Sequence, residues 1–205
     1  MQEEPMESTE KISLDPGTLL SPVPTVIVSC GDEREHNLIT IGWTGILNTR
    51  PPMIYISVRP ERHSYSIIRR TGEFVINLTD STMAKAADVC GMYTGKKRDK
   101  AKMAGLTLEK SHRVKCPSVK ESPLSIECRV ERVIPLGSHH VFVARIVGAR
   151  AKAELMSSDG RLCLDRAELM AYAHGEYYAL GRKLGKFGFS AVKKHKKNGR
   201  HTPKK

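Results

Sequence analysis

Apolar residues fall in short alternating or continuous runs along most of the chain, and few stretches keep the three- and four-residue spacing of a helix. "PVPTVIVSC" (22–30) opens with prolines, turns Val/Ile-rich and predicts a strand; "GDEREHN" then reads as a turn. "LITIGWTGIL" (38–47) reads as the next strand, with a glycine that marks a bulge or a close backbone approach. "NTRPP" breaks it, and "MIYISV" (53–58) is a third strand. In "RPERHSYSIIRRTG" the positions of Ser64, Ile67 and Ile68 suit a helix, and Gly72 suits its end. "EFVINL" (73–78) is a strand, where Asn77 is read as tying strand backbone together. An Ala-rich helical run follows, with Ser81 as its expected cap. "KKRDKAKMAG" reads as loop plus short helix, and residues 122–155 as two long strands around a Pro-Gly turn. Asp159-Gly160 signals a hairpin-like turn. "DRAELMAYA" reads as helical and "HGEYYALGRKLGKFGFS" as largely irregular.

Six or more strands, short helices and no regular βαβ alternation predict a mainly β fold, a barrel rather than a doubly wound sheet. There is no G-x-G-x-x-G after a strand and no G-x-x-x-x-G-K-[ST], which disfavours Rossmann and P-loop nucleotide sites. The 205 residues divide into an acidic leader (1–17), one domain (18–192) and a basic tail (193–205). The formal charge is +12, but "KKHKKNGRHTPKK" supplies seven Lys or Arg and no acid, which leaves +5 for the rest. The tail reads as a solvated extension. It has no interleaved aromatics, so nucleic acid is not an expected partner. No run of 18 apolar residues exists, and "MQEEPMESTEK" lacks the plan of a signal peptide; a cytoplasmic protein without a membrane partner is expected. The five scattered cysteines form no C-x-x-C pair, so reduced, inert thiols are expected rather than a metal site.

Candidate chemistry concentrates in residues 37–65. The only tryptophan, Trp43, stands among Thr40, Gly42, Thr44 and Gly45, where something flat could approach the backbone. Arg59, Arg62, His63 and Ser64 gather at a predicted helix start, a suitable seat for a phosphate. From the residues alone, the segment is either such a site or a strand–turn–strand unit with ordinary surface arginines.

"NLITIGWTGILNTRPPMIYISVRPERHSYSIIRRTGEFVINL" resembles the flavin reductase-like family, and within it the flavoredoxin-like branch. It carries Asn-x-x-Thr-x-x-Trp, Pro-Pro before a strand, a hydroxyl-bearing helix start and Gly-Glu-Phe-x-x-Asn. "RDKAK" (98–102), "SPLSIECRVERVIPLGSHHVFVARIV" (122–147) and "HGEYYALGRKLG" agree, so the resemblance covers roughly residues 18–190. It implies an FMN-binding split β-barrel of Greek-key type. Asn37, Thr40, Ile41 and Trp43 match positions that touch the flavin from the first strand pair. Ser57, Val58 and Arg59 match the strand end along the ring edge. Arg62, His63, Ser64 and Tyr65 match the phosphate-holding turn, and Lys100 a basic residue that reaches the flavin. His139 matches the family's histidine, the one candidate for a catalytic role, with Tyr172 as an aromatic near the ring. Ser138 stands where the family often has an acid, and His140 adds a second histidine, which leaves open which group faces the ring. Tyr177, Tyr178 and Phe187 are read as packing residues and Cys128 as core.

The implied function is a flavoprotein oxidoreductase that takes electrons from NAD(P)H or a redox protein and passes them on. FMN is favoured over FAD, because no adenosine-binding feature is seen, and a homodimer with flavin near the interface is implied. A non-enzymatic FMN electron carrier and a basic nucleic-acid-binding barrel are the rival readings.

Overall fold

A computed structural model describes residues 10–191. The basic tail (193–205) and residues 1–9 of the leader lie outside them; residues 10–17 are exposed and form neither strand nor helix.

The strands are β1 (Val23–Pro24), β2 (Val26–Gly31), β3 (His36–Ile41), β4 (Thr44–Thr49), β5 (Pro52–Val58), β6 (Glu73–Leu78), β7 (Leu108–Glu109), β8 (Ser118–Val119), β9 (Leu124–Leu136), β10 (His139–Ala151), β11 (Met170–Ala173) and β12 (Glu176–Ala179). Three helices interrupt them: α1 (His63–Thr71), α2 (Ala84–Met92) and α3 (Lys100–Ala104). Seven strands form one antiparallel sheet in the order β3-β2-β6-β9-β10-β5-β4. That order explains the shape. β3 and β4 stand at its opposite ends, yet only Gly42 and Trp43 separate them in the chain. A two-residue link cannot span an open seven-stranded sheet, so the sheet curls until its edges approach, an incompletely closed split barrel.

The predicted single strand over 38–47 is therefore two strands. Trp43 leaves the β3 ladder, and its carbonyl accepts instead from the Ser57 N–H at 2.9 Å. The break is the split itself, and periodicity cannot reveal it because apolar residues lie on both sides.

β2 is buried at every position, because it is covered on both faces. Val26, Val28 and Cys30 face the barrel interior with Ile39, Ile56, Phe74 and Phe142, while Ile27 faces Leu38, Met83, Ala87 and Cys90 under α2. Helix α1 closes the interior with Ile67 and Ile68 and ends at Gly72, whose φ of 68° is the left-handed conformation that glycine adopts without a Cβ penalty. Asn77 ties strands as expected: it donates to the Ile27 carbonyl and accepts from the Val119 N–H and the Ser125 hydroxyl. Cys128 is core, and all five cysteines are buried and unpaired.

Three expectations are corrected. Asp80, not Ser81, caps the turn that leads into α2: its carboxylate accepts from the Thr82 and Met83 N–H groups. "DRAELMAYA" is not a helix. It is a short 3-10 turn (Leu164–Arg166) followed by β11, whose buried Met170 and Ala171 pair with β12, while β1 covers the other edge. The following segment is not irregular throughout, since His174 and Gly175, both at positive φ, make a two-residue hairpin into β12. Among the described residues, no helix is long and apolar enough to cross a membrane.

Candidate functional site

A cleft of about 280 Å³ opens where the barrel splits. One wall comes from the break between β3 and β4: Ile39, Thr40, Ile41, Gly42 and Trp43. The end of β5 and the turn after it add Ser57, Val58, Arg59 and Arg62. His139, at the start of β10, closes that side with its ring 4.6 Å from the Trp43 ring, centroid to centroid. The small sheet β1-β11-β12 adds Val23, Tyr172 and Tyr177 to the lining, with Thr25 just after β1, and Val23 comes up against Gly42. Gly91, near the end of α2, completes the lining, and a Cβ there would come within 3.5 Å of Thr40.

Among the described residues no acid lines this cleft, whereas Arg59 and Arg62 do. Burial, then the charge of Arg59, holds the His139 imidazole below its usual pKa. The Ser138 hydroxyl lies 3.0 Å from its Nδ1, so the residue that replaces the family's acid still partners the histidine. Strand alternation separates the two histidines. His139 faces the cleft, while His140 turns away and meets the Tyr65 hydroxyl at 2.7 Å through its Nδ1.

A second cavity, about 450 Å³, lies further along β3. The two cavities share their supports: β3 supplies Asn37 and Leu38 here, the start of α1 supplies His63, and the segment after α2 supplies Gly95 and Lys96. Arg34, Arg98 and Lys100 add cations. The acids in its lining are engaged elsewhere. Glu35 pairs with Arg70 at 2.6 Å and faces His63 at 3.7 Å, and Asp99 caps α3. Lys100 is almost wholly buried; its Nζ donates to the Leu38 and Cys90 carbonyls, both at 2.8 Å, and burial lowers its pKa. Asn37 donates to the Ser64 hydroxyl at 2.8 Å. A Cβ on Gly95 would fall 2.0 Å from the Asn37 carboxamide oxygen, so only glycine lets the chain pass there.

Nine of the sequence-derived site residues thus line the cleft: Thr40, Ile41, Trp43, Ser57, Val58, Arg59, Arg62, His139 and Tyr172. Asn37, His63 and Lys100 line the second cavity. Ser64 and Tyr65 line neither. Ser64 is fully buried and accepts from Asn37, and Tyr65 packs on Phe142 and His140. Sequence reasoning missed Thr25, Gly91 and the cleft-facing role of Tyr177, because they come to the cleft from elements outside residues 37–65: the link after β1, helix α2 and β12. Phe187 is not a packing residue: it and Tyr178 are exposed.

The residues present fit a flavin. The cleft is lined by aromatic residues, small residues and two arginines, and a cation-rich cavity lies beside it. The chain belongs to the flavin reductase-like domain family, whose sequence profile matches residues 18–181, and this makes it a flavin-related oxidoreductase. It falls on the flavoredoxin branch. It is 31% identical to the flavoredoxin of Desulfovibrio vulgaris (Miyazaki F), with a TM-score of 0.82 over 89% of this chain and 99% of that one. It is 25% identical to the flavoredoxin of Methanosarcina acetivorans, with a TM-score of 0.81 over 90% and 100%. It is also similar to the reductase component of a 4-nitrophenol 4-monooxygenase/4-nitrocatechol 2-monooxygenase of Rhodococcus opacus, 25% identical over 62% of this chain and 64% of that protein.

Proposed function

We propose that the protein is an FMN-dependent oxidoreductase that draws electrons from a nicotinamide cofactor or a redox protein. The observation that carries this reading is the pair of neighbouring cavities on β3, one lined by aromatic residues, the other rich in cations. The isoalloxazine ring belongs in the cleft and the ribityl phosphate toward the second cavity. When bound, FMN supplies the redox chemistry.

The chain's own residues do the rest. Arg59, which also pairs with Glu61 at 3.6 Å, and Arg62 place positive charge where negative charge on a reduced ring would need it. Trp43 and His139 form the wall that keeps the ring in one plane, and His139, held below its usual pKa, stays neutral at pH 7. Lys100 keeps two of its N–H donors on the Leu38 and Cys90 carbonyls and directs its remaining charge toward the phosphate. Similarity to the Rhodococcus opacus reductase component supports an enzyme, and similarity to two flavoredoxins supports a carrier. A homodimer is part of the proposal: β4 is an edge strand of the large sheet and exposes Ile46 and Leu47.

The test is spectroscopic. The purified protein is expected to be yellow, and anaerobic mixing with NADH or NADPH is expected to bleach its flavin band. A yellow protein that neither nucleotide reduces is a carrier, and a protein that binds no flavin ends the reading. Lys96→Ala with Arg98→Ala should weaken FMN more than tenfold and riboflavin little, since a charge-assisted hydrogen bond contributes about 1.5–3 kcal/mol. Equal losses would move the phosphate elsewhere.

A further inference from the structure

The wall of the cleft made by the small sheet contains one anomaly. Thr25, between β1 and β2, is 3% exposed, and its hydroxyl is the buried side-chain polar atom that has no hydrogen-bond partner among the described residues. Buried hydroxyls are almost always paired, because an unpaired one loses its water and gains nothing. The neighbouring groups show how unusual it is. The Thr25 carbonyl accepts from the Thr79 hydroxyl at 2.7 Å, and the Thr40 hydroxyl, also on the cleft, donates to the Ala87 carbonyl. Every other threonine or serine buried in the core here has a use for its oxygen; Thr25 has none, and it lines the cleft.

We infer that Thr25 is a positioning residue for the ring in the cleft, and that its hydroxyl completes its hydrogen bonding on a polar atom of that ring. The inference rests on the flavin reading of the cleft. A rotation about one side-chain bond exchanges hydroxyl and methyl in threonine, so the wall can present either to a ligand without moving the backbone. The backbone is fixed from behind by Thr79 and by the β1–β11 pairing. Thr25 lines the same cleft as Arg59 and Arg62. A ring in that cleft meets both the guanidinium charge and a neutral hydroxyl. That arrangement selects a ligand with polar atoms in its plane, as a flavin has, over an apolar aromatic of the same size.

The hydroxyl's predicament gives the test two readouts of opposite sign. Thr25→Val keeps the shape and removes the hydroxyl. The flavin-free variant should unfold at the same temperature as the parent or higher, because an unpaired buried group is gone. The same variant should bind FMN and riboflavin each about threefold to tenfold more weakly, the range of one neutral hydrogen bond. Thr25→Ser, which retains the hydroxyl, should stay close to the parent in affinity. Unchanged flavin affinity in Thr25→Val overturns the inference while leaving the flavin reading intact. So does an equal loss in both variants with earlier unfolding, which would mark Thr25 as a packing residue. Failure of the parent protein to bind any flavin overturns both.

Discussion

Trp43 is 41% exposed and rests on His139 at the mouth of the cleft, a placement that suits a ring-covering residue better than a core one. As the only tryptophan, it makes the site optically legible. Its emission should be quenched by bound oxidised flavin and return when FMN is removed, and Trp43→Ala should weaken FMN about tenfold to a hundredfold, for roughly 1–3 kcal/mol of aromatic burial. Equal emission with and without flavin would make Trp43 an ordinary wall residue. His139 offers a second measurement. Its folded pKa lies below the usual 6.5, first through burial and then through Arg59. The native state therefore takes up this proton later than the unfolded chain as pH falls, so the contribution of neutral His139 to stability is lost below the unfolded value. An NMR titration should show a depressed midpoint, and Arg59→Ala should raise it; no change would remove Arg59 as a cause. These residues were readable in the sequence because the family pattern fixes their spacing. Thr25 was not, since an unpaired hydroxyl is a property of surroundings and leaves no mark in a string of letters.

At the scale of elements, the strands with strong β-branched runs were legible: "EFVINL" is β6, and the two long strands read over 122–155 are β9 and β10, the second ending at Ala151. Elements that depend on a partner were not. β11 looked helical because Ala, Glu, Leu and Met favour helices, yet pairing with β1 and β12 and the burial of Met170 override that preference. The cap before α2 was misplaced by one residue, since Asp80 and Ser81 are both good caps. Asp80→Ala should therefore destabilise the protein by about 1 kcal/mol, and Ser81→Ala by much less. Urea unfolding of both variants decides it; the reverse order would return the cap to Ser81.

For the whole molecule, a barrel was legible from the number of strands, while the location of its split was not. The split depends on which strands become the edges of the sheet, and those edges are set by six pairings, not by any one segment. The site inherits that dependence, because the cleft forms only when the two ends of the sheet meet at Gly42-Trp43 and the small sheet packs beside them. The same closure leaves β4 with an outward edge. Replacing exposed Ile46 and Leu47 with lysine should give monomers by sedimentation without lowering the unfolding temperature, if that edge is the surface between two copies. A dimer that survives both changes would place the contact on another face.

The five buried thiols have a consequence for anyone who handles this protein. Burial raises the pKa of Cys30, Cys116 and Cys128 well above that of a free thiol, and that of Cys90 to about 11, so none of these four offers a thiolate in the folded chain. An alkylating reagent must wait for the barrel to open. Labelling, followed by mass spectrometry, then becomes a clock for opening, with the cysteines under α2 and those inside the barrel as separate hands. If flavin holds the split shut, adding FMN should slow Cys90, beneath α2, and Cys30, inside the barrel, together.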